Sequence, residues 1–268
     1  MLSLEKQMLF LISSADGIDV KRLIEIYDAR NVAEQVVRNA LVRLKKDEYI
    51  HSLERSKYSI TERGLDFITT INRKPLLLDK RWDGQWLTVM FEVPESERKK
   101  RDALRSDLLQ LGFGPLYKGV YITPWDYAEE VLRFAEQYDL GACLTLLRGS
   151  FIYQSPTPLR AKQLWPLEEL NEIYRGRMDW FRTEFVPAAD RLLEAPADGL
   201  AIFVRFLELG ELLAELSLSD PMLPQELLDE SWLGRACFGE MQVYLNKLAN
   251  AIPTTSTYYA FVSRLLQG

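Results

Sequence analysis

Apolar residues recur at steps of three and four through the first part of the chain, the spacing that places them on one face of a helix. Leu4, Met8, Leu11 and Ile12 predict a first helix over 4–14, stopped by Asp16-Gly17. Leu23, Ile24 and Tyr27 predict a second over 20–29, with Asp19 placed to cap it. Val36, Val37, Ala40, Leu41 and Leu44 form the apolar stripe of a third, which starts at Val32 or Ala33 and runs to Lys46; its opposite side carries Gln35, Arg38, Asn39, Val42 and Arg43. Two short β-prone runs, 49–53 and 56–60, flank the charged tip Glu54-Arg55 as a hairpin, and Thr61 is set to cap a further helix. Three helices, a hairpin and a helix is the order of a winged helix-turn-helix, expected over 1–75.

Beyond Pro75 the pattern changes. Residues 74–81 read as a charged linker, 86–93 as an apolar strand closed by Pro94, and 95–111 as a helix burying Leu104, Leu108, Leu109 and Leu111. Gly112-Phe113-Gly114-Pro115 turns the chain, Leu116-Tyr117 and Val120-Tyr121-Ile122 pair across Lys118-Gly119, 126–138 is helical and 142–147 is a closing strand. This β-α-β-β-α-β order predicts a ferredoxin-like middle domain over 76–155. From about Ala161 the period is helical again, at 167–180, 200–216, 235–250 and 257–266, with 226–228 leading to Trp232 and prolines in the connections. An α-helical domain over 156–268 therefore completes an α+β chain.

At 268 residues, 47% hydrophobic and 27% charged, the chain can bury real cores and suits two or three small domains. It has no apolar run near the ~18 residues of a membrane span, and its first residues lack the features of a signal peptide, so a cytoplasmic protein without a membrane partner is expected. Cys143 and Cys237 lack metal-ligand spacing and His51 is the only histidine, which removes multi-histidine metal sites and most histidine-based catalysis. No catalytic residue, metal or cofactor is expected. The net charge of −6 hides an asymmetry: residues 1–75 carry 13 Lys/Arg against 11 Asp/Glu, and the remainder 20 against 28. The first segment is thus the better place for double-stranded DNA to dock.

A recognition helix enters the major groove and presents its first turns to base edges, where Arg suits guanine and Asn or Gln suits adenine. Gln35, Arg38 and Asn39 share one face of the third helix by their spacing. Arg43, Lys45 and Lys46 extend it with cations for phosphates, and Arg55 and Lys57 at the hairpin tip do the same or enter the minor groove. The alternative is the solvated polar face that any surface helix has.

The run Val36-Val37-Arg38-Asn39-Ala40-Leu41-Val42-Arg43-Leu44-Lys45-Lys46, the Arg55-to-Tyr58 hairpin tip, and Trp82-Asp83-Gly84-Gln85-Trp86 resemble the PaaX-type repressors of phenylacetate-degradation operons. Leu111-Gly112-Phe113-Gly114 and Asp220-Pro221-Met222-Leu223-Pro224-Gln225-Glu226-Leu227-Leu228, completed by Trp232 and Gly234, are similar to that family's middle and C-terminal signatures. The resemblance implies a homodimeric repressor of operator DNA whose small-molecule effector is phenylacetyl-coenzyme A. Trp82 and Trp86 are candidates to stack on such an effector, or else anchors of the domain junction. Cations for its phosphates are available at Arg148, Arg160, Lys162, Arg175, Arg177 and Arg182, with Trp165, Tyr174, Trp180 and Phe181 nearby in sequence. The competing class is an acyl-coenzyme A or nucleic-acid enzyme built on the middle domain. The first strand of that domain supplies only Glu92 as a carboxylate, and a cysteine thioesterase would need a base near Cys143 or Cys237, whereas the only histidine, His51, belongs to the hairpin.

Overall fold

The computed structural model describes residues 3–15, 17–196, 198–263 and 266, without the side chains of 70–73. Asp16, expected to help stop the first helix, lies outside the described residues, as do Arg264 and Leu265 of the expected last helix. The chain forms two compact units: Met1–Arg73 with Arg175–Leu216 and Gly234–Gly268, and Lys74–Tyr174 with Ser217–Leu233. Of the helices after residue 156, those up to Tyr174 fall in the second unit and those over Arg175–Leu216 and from Gly234 in the first.

The first unit opens with α1 (Leu4–Ser13), β1 (Ile18–Asp19), α2 (Val20–Asp28), α3 (Glu34–Lys46), β2 (Ile50–Glu54), β3 (Lys57–Ile60) and α4 (Glu62–Arg73). β3 is the central strand of an antiparallel sheet ordered β1-β3-β2. The two-residue β1 is too short to leave a pattern in the sequence. Asp19 stands at the start of α2, but its side chain accepts no hydrogen bond from the helix; the Val20 N–H donates instead to Ser56 O at 2.9 Å. The hairpin tip falls one residue later than expected, on Arg55-Ser56, because the register of β2 against β3 shifts between Ser52 and Glu54. Thr61 caps α4 as expected, its Oγ1 accepting from the Gly64 N–H at 3.1 Å and donating to Glu48 O at 2.7 Å. The later helices of this unit include Val186–Glu194, entered through a π-helical turn at Phe181–Phe185 that the periodicity did not reveal. The ring of Tyr244 meets Phe181 and Phe185 edge-on.

In the second unit, β4 (Trp86–Phe91), α5 (Arg98–Leu111), β5 (Gly114–Tyr117), β6 (Val120–Thr123), α6 (Ala128–Gln137) and β7 (Leu144–Gly149) follow one another in the expected β-α-β-β-α-β order. The sheet is antiparallel throughout and ordered β5-β6-β4-β7. Leu104, Leu108 and Leu111 of α5 are buried, whereas Leu109, placed with them by sequence, is exposed. Alternation along β4 sends Leu87 and Val89 to one face and Trp86 to the other, and all three are buried, so both faces of the sheet are covered at this point. On the Trp86 side the cover is a cluster of Leu164, Trp165, Leu167, Leu223 and Leu227 around Ile122.

That cluster explains the sequence signatures quoted above. Gly112 ends α5 at φ 100°, a conformation glycine adopts without strain, and a Cβ there would stand 2.9 Å from Pro221 O. Gly112 O accepts from Trp165 Nε1 at 3.0 Å, and Met222 O accepts from Trp125 Nε1 at 2.6 Å. Asp220 is buried, accepting from the Met222 N–H at 2.5 Å and from the Tyr174 hydroxyl. Burial raises its carboxyl above the usual range, against the pull of those hydrogen bonds and of Lys74.

Residues 74–81 are not a free linker. Lys74–Asp79 is a short 3-10 helix, and Lys74 is 3% exposed, its ammonium donating to Gln110 O at 3.0 Å and Leu218 O at 3.3 Å. A lysine among charged neighbours reads as a linker in sequence; here its carbonyl partners come from distant parts of the chain.

Candidate nucleic-acid interface

The third helix is fixed by its apolar stripe. Val37, Ala40, Leu41 and Leu44 are buried at steps of three and four, which orients the remaining surface of α3 outward. The turn before it, after α2, passes through Asn31 at φ 58°, a left-handed position that asparagine tolerates. Arg30 holds this turn with a bidentate ion pair to Glu211 of the helix Gly199–Ser219, both contacts being 2.6 Å, and donates to Gln7 Oε1 at 3.3 Å. Both partners are largely withdrawn from solvent, so the pair fixes geometry more firmly than a surface pair would.

All six sequence-predicted residues of α3 lie on its exposed surface: Gln35, Arg38, Asn39, Arg43, Lys45 and Lys46. Gln35 Nε2 donates to Asn39 Oδ1 at 2.9 Å, so the two amides present one coupled edge. Arg38 is paired with Glu34 at 2.6 Å and Arg43 with Glu5 of α1 at 2.5 Å. Lys45 donates to Ser52 Oγ on β2 at 3.2 Å, which ties the end of the helix to the hairpin. Exposed ion pairs of this kind contribute only about 0–1 kcal/mol, so a polyanion can take either arginine from its carboxylate at small cost. Arg55 is exposed at the hairpin tip, and Lys57 is half-buried on β3.

Two valines complete the face. Val42 is 67% exposed, as its position opposite the stripe predicts, while Val36, assigned to the stripe by sequence, is 45% exposed. At about 100° per residue, Val36 lies roughly 90° round the helix from the middle of the buried stripe, which is why it escapes the core. An exposed methyl group beside amides and guanidinium groups is the chemistry that meets a thymine methyl in a major groove. Glu34 and Glu5, which hold the two arginines, were not singled out in the sequence; the i, i+4 spacing of Glu34 and Arg38 was the available signal.

The effector candidates lie elsewhere. Trp86 is 1% exposed and stacks on Trp165 with centroids 6.4 Å apart, while half-buried Trp82 meets it edge-on at 5.2 Å and donates to Gln85 O. Both belong to the packing of the second unit. Arg148 is taken up by Asp83 at 2.5 Å and Asp126 at 3.2 Å, Lys162 by Asp229 at 2.5 Å, and Arg182 by Glu240 at 2.5 Å. Of the cysteines, Cys237 is buried and burial pushes its thiol up to about 12, with Glu240 adding to the shift; Cys143 is half-buried. Among the described residues no group of three or more His, Cys, Asp or Glu is placed to hold a metal ion. No described helix is long and apolar enough to cross a membrane.

This is an α+β chain with one outward polar helix beside a hairpin and a separate four-stranded unit. Residues 79–161 match the family model of the PaaX protein central Cas2-like domain, and 165–254 that of the PaaX-like protein C-terminal domain. The chain belongs to the PaaX family. It is 27% identical over 252 residues to the transcriptional repressor PaaX of Escherichia coli (strain K12), covering 90% of this chain and 75% of that protein. Among solved structures, the uncharacterized protein Rv0674 from Mycobacterium tuberculosis shares the fold with a TM-score of 0.51 at 22% identity, over 87% of this chain and 89% of that one.

Proposed function

We propose that this chain is a DNA-binding transcriptional repressor of a phenylacetate catabolic operon, acting as a cytoplasmic homodimer and released from its operator by an aryl-acyl-coenzyme A such as phenylacetyl-coenzyme A. In this reading α1 to α4 form a winged helix-turn-helix with α3 as recognition helix and Arg55-Ser56 as the wing tip, and the four-stranded unit is a ferredoxin-like domain. The observation that carries it is the face of α3, where Gln35, Arg38, Asn39 and Val42 are exposed together and the cations continue toward the hairpin. The likeness to a protein named a transcriptional repressor supports the regulatory role.

Two copies on a two-fold operator double the base contacts, which a single helix of modest charge needs for operon-level affinity. Release requires that the effector bind the DNA-incompetent arrangement more tightly, and by reciprocity the operator must weaken effector binding by the same factor.

Arg38→Ala tests the recognition helix. It is expected to weaken binding to the protein's own promoter fragment by about 1–3 kcal/mol and to narrow discrimination against a scrambled fragment, with thermal stability unchanged. Competition binding at fixed salt measures both. Equal affinity of variant and wild type would remove α3 from the base-reading role.

A further inference from the structure

Within the first unit, the helix that precedes α3 is held at both ends by residues from far along the chain. α2 buries Leu23, Ile26 and Tyr27 and packs on α3. In its first turn Arg22, also paired with Glu25, donates to Thr257 Oγ1 at 2.7 Å, and its guanidinium lies over the Tyr258 ring, 5.3 Å from the centroid. Tyr258 is buried and stacks on Phe203 with centroids 5.4 Å apart. Just beyond the last turn of α2, Arg30 meets Glu211 with both terminal guanidinium nitrogens. Phe203 and Glu211 belong to one helix, Gly199–Ser219, and a Cβ on Gly199 at its start would stand 2.5 Å from Ser256 Oγ. The two grips on α2 therefore come from elements packed directly on each other.

The grip at Arg30 spans open space. Arg30 and Asn31 line a cleft of about 940 Å³ to which the helix Gly199–Ser219 contributes Val204, Glu208 and Leu212. Beside that cleft no continuous packed layer sets the distance between turn and helix, and the guanidinium–carboxylate fork sets it instead. Two parallel bonds fix angle as well as distance, which a lysine ammonium in the same place does not. A withdrawn pair of this kind adds little net stability, since apolar residues of similar volume are often as stable in its place. What the fork supplies is a defined position. The element positioned is the turn leading into α3, where the Arg30, Asn31 and Val32 N–H groups close on Tyr27 O and Asp28 O.

We propose that the helix Gly199–Ser219 and the 256–258 turn brace the DNA-reading head, and that Arg30 and Glu211 are positioning residues on which discrimination between operator and other DNA depends. This rests on the function proposed above. Bidentate contacts to base edges demand a fixed helix orientation, whereas contacts to phosphates tolerate small rotations. A slackened turn therefore costs sequence preference and leaves sequence-independent binding in place. Neither residue needs to touch DNA for this effect.

The test compares full-length wild type with Arg30→Met/Glu211→Met, which removes both charges, and with Arg30→Lys, which keeps the charge without the fork. Affinities for the protein's own promoter fragment and for a scrambled fragment are measured across a salt series, and amide hydrogen exchange is followed at residues 30–32. The double variant is expected to melt near the wild-type temperature, to bind the scrambled fragment with wild-type affinity and salt slope, and to lose about tenfold in preference for the promoter. Exchange at residues 30–32 is expected to quicken severalfold. Arg30→Lys should fall between the two, and it carries the comparison if the double variant does not fold. An unchanged promoter preference in the variants overturns the positioning role, and so does an equal loss of affinity for both fragments, the mark of a purely structural pair. Unchanged exchange at residues 30–32 overturns the brace whatever DNA binding shows. A wild type without preference for its promoter overturns the repressor reading itself, and the discriminating role of the pair with it.

Discussion

Asp220→Ala is expected to destabilise the second unit by about 2–5 kcal/mol, since each buried donor left without its acceptor costs about 1–3 kcal/mol. The substitution leaves the Tyr174 hydroxyl and the Met222 N–H without their acceptor and Lys74 with no carboxylate to offset its burial. Asp220→Asn, which retains an acceptor oxygen for Met222, is expected to cost less, and chemical denaturation of the two variants separates the hydrogen-bond loss from the charge loss. Lys74 also has a pH signature. Burial pushes the Lys74 ammonium down to about 8 from its usual 10.5, against the attraction of Asp220. Between those values the native state has released a proton that the unfolded chain still holds, so stability rises with pH across that window. Lys74→Met should lack the rise; an identical alkaline profile in the variant would show that Lys74 is not the titrating group.

Trp165→Ala should cost about 3–5 kcal/mol, as large-to-small changes of core aromatics do. Trp165 is the wall on which the second face of the sheet closes: its ring stacks on Trp86 and its Nε1 bonds Gly112 O at the end of α5. Trp165→Phe keeps an aromatic ring and loses the hydrogen bond and part of the stack, so a smaller loss is expected than for Ala. Equal losses for the two would mean that the hydrogen bond, not the packing, dominates. If neither variant changes the thermal transition, residues 161–167 do not hold this unit together.

Both effects arise from features that were only half legible in the sequence. The stripe of Val37, Ala40, Leu41 and Leu44 is a local signal, and the helix it predicts is present with its polar face outward. The βαββαβ order was legible for the same reason, each element carrying its own period. Lys74 illustrates what is not local: in the sequence it is one charge among several before Trp82, and only the chain 144 residues away supplies its Leu218 acceptor. Asp19 shows how tertiary pairing overrides a cap preference, since β1 uses the neighbouring N–H in the sheet. The Asp220-Pro221-Met222 motif was visible, and its role in closing on Gly112 and Trp125 was not. At the candidate interface the exposed residues of α3 were readable from their face. The carboxylates that hold Arg43 and Arg30 were not, because Glu5 and Glu211 come from other helices.

The most direct test of DNA binding is the salt dependence of the protein's affinity for its own promoter fragment, measured beside the Arg55→Ala/Lys57→Ala variant. A recognition helix flanked by phosphate-binding cations predicts a linear fall of log K with log salt, with a slope near −0.9 for each phosphate contact. The variant should bind every sequence more weakly and show a flatter slope, by up to about one unit per lost contact, while keeping the wild-type preference for the promoter over a scrambled fragment. A wild-type protein with no measurable preference for that promoter would contradict sequence-specific repression, and a slope near zero would contradict phosphate contact altogether.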